Sequence, residues 1–267
     1  MEYIVQRAVA VIREKYGEPL TLDELARMVL VSKFHFLRSF RRTTGVTPGR
    51  FLSAVRLAEA KRLLLDTSLK VSDISAQVGY SSIGSFTRRF TESVGLPPTQ
   101  YRQAAADVPL PLPEHPIPGA GNSVSGYVRP WRTGRTEVFV GLFDSPILQG
   151  RPVVSTTLEA PGPFLLTGIP AGTWHLHAAT LPETGAAPCG GRQWRQPSQL
   201  VDCTSPLVFR DQDSGTAGER HERIVLTPRP AEWFRPPVLL ALPHQMITDT
   251  ARRHLHAAYR EPSVTAV

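Results

Sequence analysis

Arg38 and Arg88 occupy the same place in a short pattern that this chain writes twice, fifty residues apart. Ser32, Phe36, Arg38, Phe40, Gly45 and Pro48 recur as Ser82, Phe86, Arg88, Phe90, Gly95 and Pro98, and Leu25 matches Ile74 at a spacing one residue shorter. A guanidinium is a planar fork of donors that fits the O6 and N7 acceptors of guanine, and a Thr or Ile methyl fits the thymine methyl. Around each arginine stand Lys33, Phe34 and Leu37 in the first copy, and Ile83, Gly84, Ser85 and Thr87 in the second, a surface that is not fully polar at Leu37, Ile83 and Gly84. A structural reading competes for each arginine, which could instead bond a neighbouring helix end.

Other chemistry is sparse. His175 and His177 stand two apart on a strand-like run, with His221 as a third candidate ligand, but such pairs are more often surface or core residues than a metal site. Cys189 and Cys203 form neither a close-spaced metal pair nor a disulfide framework. No Gly-x-Ser-x-Gly elbow and no phosphate-cradling glycine loop occurs. The sequence therefore points to no catalytic residue, no cofactor and no metal.

The elements that must carry these residues are helical in the front of the chain. Ile4, Val5, Ala8, Val11 and Ile12 mark the apolar face of a first helix. Thr21 with Glu24 reads as a capping box for a second, and Ser32 as the cap of a third that ends at Gly45. Phe36 and Phe40 take the interior of that third helix, with Leu37 or Phe34 competing for the same space. Thr47-Pro48 opens a long helix to about Thr67, with Phe51, Val55, Leu57, Ala58, Ala60, Leu63 and Leu64 apolar. The second copy follows, from Val71 through Gly79-Tyr80 to a helix capped by Ser82. Pro97-Pro98 then opens a last short helix with Tyr101. Each copy reads as helix, tight turn, helix.

Charge and composition divide the chain. Residues 1–106 hold 16 Lys+Arg against 9 Asp+Glu, while residues 107–267 hold 14 of each, so the net +7 lies wholly in front. A basic half suits a polyanion; a solvated basic surface without a ligand is the alternative. Five prolines between Pro109 and Pro118 predict an extended spacer. Beyond it the period changes to two: Thr136, Val138, Val140 and Leu142 alternate with Glu137, Phe139, Gly141 and Phe143, and Phe164, Leu166, Trp174, Leu176 and Ala178 continue the habit. Further strands are expected near Pro206–Phe209, Arg223–Thr227 and Val238–Leu242, and a short helix beyond Asp249. The predicted fold class is multidomain α and β: an all-α double helix-turn-helix domain (1–106), a Pro-rich linker (107–122), an all-β sandwich (123–246) and a C-terminal helix and tail (247–267).

The strings Leu22–Ala26, Val31–Phe40 and Thr44–Pro48 resemble the first motif of the AraC/XylS family of bacterial transcription regulators. Arg56–Leu64 resembles its connecting helix, and Gly79–Ser82, Ser85–Phe90, Gly95–Pro98 and Tyr101-Arg102 its second motif. The resemblance covers about the first hundred residues. It implies a sequence-specific regulator whose two third-type helices enter adjacent major-groove segments of promoter DNA, with RNA polymerase as a partner. Base contacts would come from Lys33, Phe34, Leu37, Arg38, Ile83, Gly84, Ser85, Thr87 and Arg88, and phosphate contacts that set register from Ser32, Arg41, Arg42, Ser82, Arg89 and Arg102. The connecting helix of about 20 residues spans roughly 30 Å, against ~34 Å between successive groove faces.

Most such relatives carry their effector domain first, often as a cupin-like barrel; here the order is reversed and that pattern is missing. The run Phe164–Ala178 resembles instead the prealbumin-like sandwich of carboxypeptidase regulatory domains, in which a Pro-x-Gly turn joins two strands into a hairpin. That implies a fold more than an activity, with effector sensing or homodimerisation as its expected role. A DNA-modifying enzyme targeted by the helical module is the alternative, and a nonspecific DNA-organising protein a third. No apolar run approaches the ~20 residues needed to cross a bilayer, and the first residues carry no signal-peptide pattern. A reduced, cytoplasmic setting is the expectation.

Overall fold

A computed structural model describes residues 2–104, 122–130, 136–180, 200–210, 224–230, 234–237 and 239. The front is helical: α1 (Glu2–Glu14), α2 (Leu22–Met28), α3 (Lys33–Thr44), α4 (Pro48–Asp66), α5 (Val71–Gln77), α6 (Ile83–Val94) and α7 (Pro98–Ala104). The boundaries follow local chemistry. Thr21 accepts from the Glu24 N–H while the Glu24 carboxylate accepts from the Thr21 N–H, closing the capping box. Ser32, Thr47 and Ser82 cap α3, α4 and α6 in the same manner. Gly45 and Gly95 close α3 and α6 at φ 77° and 94°, the left-handed region in which a side chain would be strained.

The one-residue slip between the two copies sits in the turn before each cap. Leu30 takes the left-handed position of the first turn (φ 57°) two residues before Ser32; Gly79 takes it in the second (φ 86°) three residues before Ser82. Packing repeats as well. Phe36 and Phe40 meet edge-on with centroids 5.5 Å apart, and Phe40 meets Phe51 at 5.6 Å. Phe86, Phe90 and Tyr101 form the same chain at 5.6 Å and 5.6 Å. Tyr101 is Phe51 plus fifty, so α7 is a shortened copy of α4. A cation lies over each of these terminal rings, Arg13 of α1 over Phe51 and Lys61 of α4 over Tyr101. Thus α1 serves the first motif as α4 serves the second.

Because α4 is shared by both motifs, it buries apolar residues on more than one side: Phe51, Leu52, Ala54, Val55, Leu57, Ala60, Leu63 and Leu64 are buried. Arg56 ties this strut to its surroundings. Its guanidinium donates to the carbonyls of Tyr16 (2.7 Å) and Glu18 (2.8 Å) and lies over the Tyr80 ring. Gly79 sits against it: a Cβ there would come within 2.9 Å of both the Arg56 guanidinium and the Gly17 carbonyl.

Nine strands follow among the described residues: β1 (Asn122–Val128), β2 (Val138–Phe143), β3 (Val154–Leu158), β4 (Pro163–Ile169), β5 (Gly172–Thr180), β6 (Leu200–Cys203), β7 (Leu207–Phe209), β8 (Ile224–Leu226) and β9 (Arg229–Pro230). They form two sheets, β4-β1-β8 and β3-β2-β5-β6-β9, with β7 pairing along β5. Val124, Val128, Phe164, Leu166, Ile169 and Leu226 of the first sheet share one apolar cluster with Val138, Val140, Leu142, Leu176 and Ala178 of the second. The alternation expected of β4 runs from Pro163 to Leu166, whereas β5 is buried without a break from Leu176 to Thr180, and these strands do not pair with each other. Pro170 and Ala171 carry the chain from one sheet to the other, which corrects the expected hairpin.

β2 departs from simple in-out alternation, since all six of its residues are buried. Phe139 and Phe143 pack with Leu148 and Ala179 on the face away from the common core. That face is covered by the loop after β2, and the same loop continues onto the helices. Ile147 and Leu239 are buried within the helical core cluster. Arg50 of α4 donates to Ser145 Oγ (3.0 Å), and the Gly150 N–H donates to the Ser93 carbonyl at the end of α6 (2.7 Å). Further on, Arg13 donates to the Arg235 carbonyl (3.4 Å) and Lys61 to the Leu239 carbonyl (2.9 Å). The ring-capping cations of both repeats are therefore held by one short segment of the back half. Burial pushes the Lys61 ammonium down to about 8. Of the remaining expectations, the Pro-rich run 109–118, the helix beyond Asp249 and most of Val238–Leu242 lie outside the described residues; Leu239 itself is not in a strand.

Candidate nucleic-acid interface

Helix α3 buries Phe36, Ser39, Phe40 and Thr44, so the opposite face is free to point outward. Phe34, Arg38 and Arg41 follow one another at i, i+4 and i+7 along it and are exposed, as are Lys33 and Arg42. Phe34 is 78% exposed and takes no share of the interior, leaving that to Phe36 and Phe40; Leu37 lies half-buried on the flank. Among the described residues Arg38, Arg41 and Arg42 take no side-chain hydrogen bond or ion pair, so no helix end competes for Arg38. Lys33 meets Asp23 at 3.0 Å between two exposed side chains, an ion pair worth little in water and easily exchanged. His35 is half-buried, with Nε2 3.5 Å from Ser39 Oγ.

Helix α6 presents the equivalent surface with different side chains. Ile83, Gly84, Ser85, Arg88 and Arg89 are exposed and Thr87 is half-buried. Ser82 accepts from the Ser85 N–H and donates its hydroxyl to Ser85 Oγ at 3.0 Å, which ties these two hydroxyls to each other. Arg88 and Arg89 lie 3.7 Å and 3.9 Å from Glu92 in open ion pairs. At Gly84 a Cβ would meet nothing within 4 Å, so packing within the fold does not demand a glycine there. The two faces also differ in charge: α3 carries Lys33, Arg38, Arg41 and Arg42 and no acid, whereas α6 carries two arginines and Glu92.

Arg102 stands apart from the other arginines. Its guanidinium donates to the carbonyls of Leu64 (3.1 Å) and Leu69 (2.7 Å), bracing the end of the strut. Sequence reasoning missed Arg56, Arg13 and Lys61 as positioning residues. The Phe51–Tyr101 equivalence was within reach, since it keeps the fifty-residue offset. The strut is 19 residues long, about 28 Å at ~1.5 Å per residue.

The back half holds two candidate reactive groups. His177 is buried, its Nε2 lies 2.8 Å from the Ser145 carbonyl, and burial pushes it down to about 4. Cys203 Sγ lies 3.6 Å from the same nitrogen, and burial pushes this thiol up to about 12. A neutral imidazole beside a protonated thiol is the reverse of an activated nucleophile. Cys189 and His221 fall outside the described residues, and no group of three His, Cys, Asp or Glu that could hold a metal occurs among those described. No described helix is long and apolar enough to cross a membrane.

Comparison with known proteins places this geometry. The family described as "Helix-turn-helix domain" matches residues 25–104. The chain is similar to the lactose operon transcription activator of Staphylococcus xylosus, 33% identical over 98 residues, 37% of this chain and 35% of that protein. It is also similar to the HTH-type transcriptional regulator YobQ of Bacillus subtilis, 34% identical over 95 residues, 36% of this chain and 39% of that one. The chain thus spans little more than a third of either relative. Among solved structures, a transcriptional regulator of Chromobacterium violaceum described as an AraC-type DNA-binding domain-containing protein is 28% identical, covering 39% of this chain and 94% of that one, with a TM-score of 0.38. Capped twin motifs, matched in sequence across residues 25–104, make the front of this chain similar to a helix-turn-helix domain.

Proposed function

We propose that the protein is a sequence-specific transcription regulator that reads two adjacent major-groove segments of promoter DNA through α3 and α6. The observation that carries this reading is the repeated exposed face: two serine-capped helices, each presenting an arginine at the same position, on either side of a single buried strut. Lys33, Phe34, Leu37 and Arg38 would contact bases from the first head, and Ile83, Gly84, Ser85, Thr87 and Arg88 from the second. Ser32, Arg41, Arg42, Ser82 and Arg89 would hold phosphates; Arg102 would do so with whatever part of its fork the Leu64 and Leu69 carbonyls leave over. With four cations and no acid on α3, the first head would dominate the salt dependence, and the second would rely more on apolar contact and shape.

The finer assignments extend from there. Residues 1–106 act as the DNA-binding domain and 123–246 as a β-sandwich of the prealbumin-like type that senses an effector or pairs two copies; the shared core between the two sheets supports the sandwich. RNA polymerase is the partner this reading implies, and the cytoplasm the location. The raised thiol of Cys203 gives no support to a DNA-modifying enzyme.

Selection of bound duplexes from a random pool, followed by footprinting, tests the proposal. Two protected segments on one side of the duplex are expected, and a single segment or none would refute it. Arg38→Ala should weaken specific binding by ~1–3 kcal/mol and relax preference at one base pair.

A further inference from the structure

We propose that the cleft between α6 and the loop after β2 binds a small zwitterion, an amino acid or close analogue with one ammonium, one carboxylate and an apolar or planar body. This rests on the reading of the protein as an effector-responsive regulator. The cleft has a volume of about 370 Å³ and is walled by Arg89 and Glu92 of α6, by Asp144, Gln149 and Arg151 of the loop, and by Trp174 of β5. That is the size range of small-ligand sites.

The charges in the wall define the class of ligand. Two arginines and two acids stand in the wall, so the lining has no net charge. Glu92 is already served by Arg88 and Arg89. Asp144 and Arg151 remain: both are exposed, and among the described residues neither takes a hydrogen bond or ion pair, Asp144 acting only through its field on His175. A simple anion would satisfy Arg151 and be repelled by Asp144, and a simple cation the reverse. A dipolar molecule satisfies both. Trp174 supplies the apolar surface. Its indole N–H is spent on the Pro170 carbonyl at 3.0 Å, which fixes the ring and leaves its face as contact area.

The position gives the site its consequence. One wall is the second reading helix and the other belongs to the back half, and the Gly150–Ser93 bond at 2.7 Å sutures them at the cleft's edge. Arg89 borders both the cleft and the exposed face of α6. An occupant whose carboxylate recruits Arg89 as well as Arg151 competes with a DNA phosphate for that side chain, so ligand and duplex become coupled through one guanidinium.

The full chain is to be screened by thermal shift against the free L-amino acids, with the corresponding carboxylate-only and amine-only compounds as controls, and each sample also footprinted on its selected duplex. At least one amino acid should raise Tm by about 3–6 °C at roughly ten times its Kd, and neither control should match it. Arg151→Ala and Asp144→Asn should each abolish the shift while leaving the footprint intact. No shift with any amino acid, an equal shift with a control, or a shift that survives both substitutions overturns the site. A protein that footprints but ignores zwitterions loses only the cleft; one that shows neither response loses the regulator reading too.

Discussion

Gly84→Ala separates what the fold needs from what the reading face needs. Gly84 is the second residue of α6, exposed, with an ordinary helical backbone and nothing within 4 Å of an added Cβ. Replacing glycine by alanine at an exposed helical position gains ~0.5–1 kcal/mol, mainly by restricting the unfolded chain. The first turn of the helix places this substitution toward the lower end, so Tm should rise by about 1–3 °C. The expectation for DNA has the opposite sign. If the start of α6 lies against a base edge, the new methyl occupies space that the duplex requires, and forcing a methyl into a packed contact costs ~1–3 kcal/mol. Affinity for the selected duplex should fall roughly tenfold or more, with protection lost first over the second segment. Circular dichroism melts and titration of a labelled duplex read the two effects independently. Unchanged affinity alongside the gain in Tm would refute a close approach of α6 at Gly84. A lower Tm would refute the claim that the position is open.

Four other substitutions test the architecture. Leu30 is 89% exposed at φ 57°, so Leu30→Gly should stabilise by about 0.5–1 kcal/mol in urea melts, whereas Gly79→Ala, which meets Arg56 and Gly17 at 2.9 Å and φ 86°, should cost about 2 kcal/mol or more. His177 is held down to about 4 from 6.5, so the unfolded chain binds its proton first. Its contribution is intact above pH 6.5 and fades as pH falls towards 4, a loss approaching ~3 kcal/mol that His177→Gln should remove from the pH profile of stability. Ile147 is buried in the helical cluster; Ile147→Ala should cost about 2–4 kcal/mol and speed hydrogen exchange in α4, and an effect confined to the β-sheets would show that the halves unfold separately.

Where local chemistry determines an element, it was legible in the sequence. The serine caps, the Thr21–Glu24 box and the closing glycines each act within four residues, and all stand where the sequence predicts them. Leu30 was not readable as a left-handed residue, because leucine advertises the opposite preference and only the comparison with Gly79 exposes it. Phe34 was open by type between the interior and the reading face, and its angular position on α3 puts it outside. The pairing partners of β4 and β5 are non-local, so a turn sequence shared with hairpins could not tell a hairpin from a crossing between sheets. Double burial of β2 arises from a loop with no periodicity of its own. The contacts of Arg235 and Leu239 join residues more than a hundred positions from the helices they touch. For the reading face, residue types were legible while their commitments were not: Arg38 is unspent, Lys33 is lightly paired and Arg102 is engaged with carbonyls.

The segment from Arg235 to Leu239 rests on Arg13 and Lys61, the matching cations of two duplicated units. It works as a brace laid across two joints, so the angle between the heads is fixed by α4 on one side and by a distant stretch of chain on the other. A fragment ending after α7 would keep both heads and lose that cross-tie. Any operator geometry measured on such a fragment would then describe a looser pair of calipers than the intact protein wields.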